Sequence, residues 1–506
     1  MFAVALVRLA LFLAAPLDQQ IGLIPDDAFY YLVPARHFAE LGRWTFDGVA
    51  PATGFHLLYG YALAGLFRVA PQLDGATLFG VVAGAGTLAF AAAVWAVARA
   101  AVRDFGAPAA LGVALAFTAP VALRQPTLLV ESCLVLLFSS ALLALLSRAG
   151  EPPELGPRGL AAALALGLLG NLARSDFGLL PAAGAAVFWA LGRRAQARLA
   201  LAATLGAALG VVAVSLHTLH WSGSVIQSSA RMKQHWSALL GYDPRGLLRW
   251  LVDVVAPRDA RWLGARSGAL LVLAAGALGA WTQLGARALR LDHWPLAVAC
   301  ALTIAGYLLF YGAASSGVPP WYLANALAPL AYLMGGVTSF LPRRARVPAL
   351  AIAVLCAALD TAASLRPFLP HQVAMKDAGL YLRDHPEVGL AAAWNAGVVA
   401  YFSGRPVVNL DGLVNDDIYA AAVSGKLLDY VCRRGVRAVV DYAEMIQNPE
   451  LALRGGHADG RLHALLHGEL DFTKDAPGER WHDTDLWLWR FDRSGCGPGE
   501  ASAASE

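Results

Sequence analysis

Long apolar runs recur along most of this chain, and they decide what it can fold into. Candidate runs cover residues 2–17, 76–98, 106–123, 128–146, 159–173, 177–191, 199–219, 266–284, 295–313, 322–340 and 347–363. A helix crossing the hydrocarbon core of a bilayer needs ~20 apolar residues, and fewer where neighbouring helices bury its ends. Of the 506 residues, 58% are hydrophobic and 15% charged. Soluble domains carry about 25% charged residues, and one water-facing domain does not enclose so much apolar surface. The runs therefore predict a polytopic α-helical membrane protein with about 11 transmembrane helices. Met1–Pro16 is followed by no A-x-A-like cleavage site, so it reads as the first of these helices rather than a signal.

The basic loops supply an orientation. Arg99 with Arg103, Arg193–Arg194 with Arg198, Arg287 with Arg290, and Arg343–Arg346 all fall on one side in this count, which is then cytoplasmic. The apolar stretch His56–Ala70 fits no crossing, because counting it would move the Arg343–Arg346 cluster to the wrong face. It reads as a helix lying in the outer interface. Asp26–Leu41, with Phe29, Leu32 and Val33 beside Arg36 and Glu40, suits a second interfacial helix. The large outer segments are then Asp18–Gly75, His220–Arg261 and the C-terminal region.

Composition changes near Ala363, so residues 1–363 read as a transmembrane domain and 364–506 as a soluble extracytoplasmic α/β domain. In the second part Gln372–Arg383 is an amphipathic helix. Gly389–Trp394, Pro406–Leu410 and Val436–Val440 read as strands, and Asp416–Arg433 reads as a helix. This rhythm predicts a small parallel sheet. Asp485–Arg490 alternates as a half-buried strand does, and the final GPGEASAASE reads as disordered. The five cysteines show no metal-ligand spacing. Cys133, Cys300 and Cys356 sit in apolar runs as small hydrophobes. Cys432 and Cys496 are read as unpaired thiols, with pairing open if the tail is extracytoplasmic. A net charge of +3 gives no case for nucleic acid.

The groups that could carry chemistry gather on the outer side. Asp26–Asp27 follows the first membrane helix. A carboxylate desolvated against a membrane suits a general base, and N-capping of Asp26–Leu41 is the alternative. Glu131 opens a span in PTLLVESCLVLLF, either as a functional acid or as a helix-start carboxylate in contact with water. Arg174 breaks the run between two short spans in NLARSDFGLL. Its permanent charge suits a phosphate, and a structural pair with Asp176 is the alternative. The loop Trp221–Trp236 joins Arg231, Lys233, His235 and hydroxyls to flanking tryptophans, which suits an anionic headgroup or bulk anionic lipid. Trp321 and Tyr322 in VPPWYLANAL suit an aromatic belt.

These residues resemble a family. PDDAFYYLVPARHFAELGRWTFDG followed by ATGFHLLY is similar to the first outer loop of GT-C glycosyltransferases that use polyprenyl-phosphate sugars, such as protein O-mannosyltransferases and the aminoarabinose transferases of lipid A. Asp26–Asp27 matches their acidic pair, and His56 the basic position of an HPPL-like motif, with Leu57–Leu58 replacing the prolines. LLVESCL places Glu131, and NLARSDFGLL places Arg174. GSVIQSSARMK places Ser229 and Lys233 in a G-x-x-x-P-x-S-x-x-x-K loop, with Gln227 where proline is common. VPPWYLAN resembles a recurring WY segment. The C-terminal WNAGVVAYFSGRPVVNLDGLVND is similar to tails of bacterial members and brings no catalytic role.

The resemblance implies inverting transfer of a hexose or pentose in the bacterial inner membrane, at its outer face. Asp26 or Asp27 accepts a proton from an envelope acceptor (lipid, glycan or protein) that attacks the donor sugar. Arg174, Lys233, His56 and Arg231 hold the leaving phosphate, and Trp321 and Tyr322 the donor lipid. Glu131 is the second acid or acceptor contact. A divalent metal bridging acid and phosphate occurs in some relatives, and Asp26 with Glu131 are the oxygens available for it. Two other classes stand beside this one. A transporter of lipid or polyprenol-linked sugar would carry ionisable groups near the bilayer midplane and internal repeats; here the groups lie toward one face and no repeat is seen. A non-catalytic envelope scaffold would use Asp411, Asn415 and Asp416 as sugar contacts, against turn and cap chemistry in NLDGLVND.

Overall fold

The computed structural model describes residues 2–148, 156–240, 263–287, 294–313, 319–447, 460–480 and 483–497. Arg290, residues 241–262 of the second outer segment and the tail from residue 498 lie outside the described residues. Two compact units compose the chain. One is Met1–Ala15, Asp74–Ala213 and Asp243–Arg366; the other is Pro16–Leu73, Val214–Tyr242 and Pro367–Glu506.

A helix stands at each apolar run: Phe2–Ala14, Gly75–Phe105, Ala109–Phe117, Ser132–Arg148, Pro157–Ala173, Leu179–Ala190, Arg194–Ser222, Leu263–Arg287, Trp294–Ala313, Ala324–Ser339 and Arg343–Ser364. Among the described residues, four helices are long and apolar enough to cross a membrane, or five if one bent pair counts as a span. Their outward faces carry exposed large apolar groups such as Leu88, Trp95, Leu205, Leu309 and Val354. Such faces are stable in lipid and costly in water. The bent pair corrects the expectation of unbroken spans at 106–123 and 128–146. Ala109–Phe117 stops short, and Pro120–Thr127 meets Ser132–Ser147 at 117°. Pro120 and Pro126 lack the N–H groups a continuous helix needs, and Leu129 makes the corner at φ 52°.

Small residues let the helices of this first unit approach closely, as membrane packing favours. A Cβ on Gly112 would lie 2.1 Å from the Met334 carbonyl oxygen, and one on Gly167 would lie 1.9 Å from that of Ala203. Polar ties also cross between its helices. Buried Arg8 donates to Ser364 Oγ at 2.8 Å and Thr127 Oγ1 at 2.7 Å, and Asp104 accepts from Ser147 and Tyr332, each at 2.6 Å.

The second unit is built around a five-stranded sheet in the order β2-β1-β3-β5-β4. The strands are β1 (Ala391–Ala393), β2 (Val407–Asn409), β3 (Ala438–Tyr442), β4 (Leu466–Asp471) and β5 (Leu486–Phe491). β2, β1 and β3 run parallel, as the sequence rhythm predicts, while β5 and β4 close the edge antiparallel. β4 escapes the sequence reading because LHGELD is polar and exposed over most of its length. The expected helix Asp416–Arg433 is two helices, Tyr419–Val423 and Leu427–Arg433. Gly425, at φ 65°, turns the chain between them.

The segment Pro16–Leu73 folds into this same unit. Asp26–Leu41 and Leu57–Val69 are helices, as expected. Their connection is pinned by Trp44, stacked on Phe38 at 4.4 Å and against Phe55 at 4.3 Å. Cys432 and Cys496 form a disulfide, which corrects the reading as free thiols. The pairing left open in the sequence is the one the fold makes, across a separation of 64 residues. In the chain-entropy model a loop of that length stabilises by about 4 kcal/mol. Replacing both cysteines by alanine is expected to lower the unfolding midpoint of the second unit in denaturant, followed by Trp fluorescence, with a loss of that order. Unchanged midpoints would show that the cross-link contributes nothing.

Candidate active site

In the second unit, Asp26 and Asp27 open the Asp26–Leu41 helix after Pro25, so both carboxylates sit where a helix N-terminus favours negative charge. Asp26 does not turn back to cap its own helix. It accepts from the backbone N–H groups of Val398 at 2.6 Å and Gly397 at 3.2 Å, the first turn of the helix Gly397–Ser403. Gly397 has to be glycine here, since a Cβ would fall 2.5 Å from the Asp26 carbonyl oxygen. One turn on, Tyr30 donates to Asp411 Oδ2 at 2.9 Å and lies 3.0 Å from the Trp394 carbonyl. Asp411 also accepts from the Leu413 N–H at 2.8 Å, the turn chemistry foreseen for NLDG.

Burial raises the Asp26 carboxyl to about 7, against the pull of Val398 and Gly397 and with the help of the Asp27 charge. Burial raises Asp411 to about 7 as well, against its bonds from Leu413, Tyr30 and Asn409. Asp27 is half-buried beside them.

A second junction in the same unit brings three further segments together. Asp416 accepts from Thr53 N at 2.8 Å and Thr53 Oγ1 at 2.9 Å, and from Arg231 Nη2 at 3.0 Å. Arg231 also lies over the Tyr419 ring, 4.7 Å from its centroid. His56 follows Thr53 closely and begins the Leu57–Val69 helix, its ring 6.5 Å from that of Tyr31. Lys233 stands half-buried on Ser228–Leu240, the helix that carries Arg231. Asn415 bonds Asn409 O at 3.0 Å and Tyr430 OH at 2.8 Å, which places it in turn support.

In the first unit, Arg174 breaks the chain between Pro157–Ala173 and Leu179–Ala190 as expected, and its guanidinium is committed. Nη1 meets Glu131 Oε1 at 2.5 Å, Nε meets Asp176 Oδ1 at 3.1 Å, and Nη2 donates to Tyr311 OH at 3.0 Å. Tyr322 lies under the guanidinium, 4.6 Å from its carbon to the ring centroid, with the Trp321 ring 6.2 Å from that of Tyr322. The Asp176 pair set beside the phosphate role is therefore present. Two carboxylates meet this one guanidinium. Sequence reading missed Tyr307, Tyr311 and Asn325, which bond Asp176. The signal lay in two tyrosines four apart in an apolar helix, which share a face.

The metal expectation fails its test on donors. The Asp26 oxygens take backbone N–H groups and Glu131 takes Arg174. Among the described residues no group of three or more His, Cys, Asp or Glu is placed to hold an ion. These residues do not fit a divalent cation.

Solved structures share this fold of apolar helices with a small mixed sheet. ArnT from Cupriavidus metallidurans bound to undecaprenyl phosphate aligns at a TM-score of 0.59 with 14% identity, covering 98% of each chain. The apo oligosaccharyltransferase of Archaeoglobus fulgidus aligns at 0.52 with 14% identity, over 92% of this chain and 73% of that one. AglB from the same organism, in complex with an inhibitory peptide and a dolichol-phosphate, aligns at 0.51 with 14% identity, over 92% and 72%. At this identity the likeness establishes the fold. Residues 365–487 match a family described as a domain of unknown function (DUF8728). No curated protein matches the chain.

The two raised carboxyls have a consequence for stability. Between about pH 4 and 7, folded Asp26 and Asp411 keep protons that the unfolded chain has released. Their contribution is full below the unfolded value of 3.8 and is lost as pH rises through about 7. Unfolding midpoints of the full-length protein measured from pH 4.5 to 8 are expected to fall across that window. The Asp26→Asn, Asp411→Asn double variant should flatten the slope, and an unaltered slope would dismiss this pair as its source.

Proposed function

We propose that this protein is an inverting membrane glycosyltransferase that moves a sugar from a polyprenyl-phosphate donor to a cell-envelope acceptor. What carries the reading is a fold matched over 98% of both chains by ArnT bound to undecaprenyl phosphate. Beside it stands an acidic pair at the head of an outer-segment helix. The membrane is the bacterial inner membrane, crossed about eleven times with the basic loops inside. The second unit is then extracytoplasmic, which suits the Cys432–Cys496 disulfide, since such bonds persist in oxidising compartments.

Asp27 is the general base in this reading. Asp26 is occupied by the N-terminus of Gly397–Ser403 and holds the helix that presents Asp27. Asp27 takes the proton of the acceptor hydroxyl or amine as that atom bonds to the anomeric carbon. The bond from that carbon to the phosphate oxygen breaks on the opposite face, and the electron pair leaves with the polyprenyl phosphate. His56, Lys233 and Arg231 stabilise the departing charge, which needs electrostatic help more than a proton. Within the first unit, Arg174 is paired with Glu131 and lies over the Tyr322 ring.

A general base contributes about 10²–10⁴ in rate. Purified protein in nanodiscs, given undecaprenyl-phosphate sugars and envelope acceptors, is expected to release undecaprenyl phosphate. Asp27→Asn should reduce kcat by an amount in that range. Wild-type rates in that variant would remove the base, and absence of release from every donor would refute the reaction.

A further inference from the structure

The C-terminal domain enters the proposed reaction through the bonds that hold Asp26, and three segments remote in sequence meet at one of its own carboxylates. Buried Asp416 uses both oxygens: Thr53 donates through N and Oγ1, and Arg231 through Nη2. The backbones around it are locked together. The Asp416 N–H donates to Pro51 O at 3.0 Å. Ser228 Oγ donates to Leu413 O at 3.0 Å, and Gln227 Nε2 to Thr53 O at 2.9 Å and Phe55 O at 2.6 Å. Gly54 admits no side chain, since a Cβ would lie 1.6 Å from Leu413 O. Apolar packing joins segments at lower desolvation cost than a buried ion pair, whose directional bonds fix register instead. His56 and Lys233 each lie within three residues of a group that Asp416 holds.

We propose that Asp416 is a positioning residue: it sets the register of the two outer segments that carry His56 and Lys233. The inference rests on the glycosyltransferase reading, because it supposes that those two side chains meet a carrier phosphate. Asp416 itself touches no substrate. It acts through Thr53 and Arg231, so the loop after β2 becomes part of the machinery rather than a tether.

The test uses full-length protein in nanodiscs with two readouts: hydrogen–deuterium exchange over residues 45–56 and 227–236, and affinity for added undecaprenyl phosphate. Asp416→Asn and Thr53→Val are expected to raise exchange in both segments and to weaken binding roughly tenfold. Thr53→Ser, which keeps the hydroxyl, should retain wild-type values in both. Unchanged exchange in the first two variants would overturn the junction. Raised exchange with wild-type affinity would overturn the positioning role while leaving the contact. If wild-type protein fails to bind undecaprenyl phosphate, the carrier-lipid reading falls and positioning falls with it, while the exchange data still judge the contact independently.

Discussion

The segment Pro16–Leu73 buries many apolar and aromatic side chains, and buried carboxylates fix where it sits within the second unit. Asp26 gives its oxygens to backbone N–H groups of Val398 and Gly397. Asp411 takes Tyr30, and Asp416 takes Thr53. A buried carboxylate left unpaired costs far more than a paired one, so each bond holds only while the helix or loop facing it stays in place. The positions of Asp27 and His56 follow from these contacts rather than from the intrinsic preference of their own helices.

Those contacts cluster on the C-terminal side of the parallel strands. The loop after β1 brings Trp394–Gly397, and the loop after β2 brings Asp411–Asp416. Asp441 on β3 braces the first of these, accepting from Trp394 N at 2.8 Å and Asn395 N at 3.0 Å. In open α/β sheets this edge is where ligands bind. Here the chain's own outer segment occupies it, and the sheet becomes a template for a loop.

The first unit works by different physics. Its buried charged groups pair with one another or with neighbouring hydroxyls, as with Arg8, Asp104 and the Arg174 cluster. Glycine contacts set the helix spacing. Tyr311, Asn325 and Tyr322 close around Arg174 and Asp176. A cation flagged from sequence as a ligand is often already spoken for, because partners on other helices are invisible to local pattern.

Apolar runs fixed where the helices lie, since burial in lipid depends on local composition alone. Alternation and turn residues marked three parallel strands and β5, since a strand's burial follows the pattern of its own neighbouring residues. Hydrophobic periodicity and the DD pair likewise marked Asp26–Leu41 before any contact was known. The sequence could not decide which carboxylate is committed, which cysteines join, or that Arg231 answers to Asp416. Those outcomes depend on groups tens to hundreds of residues apart arriving within hydrogen-bond distance, and directional bonds of that kind exist only once the tertiary structure has closed around them.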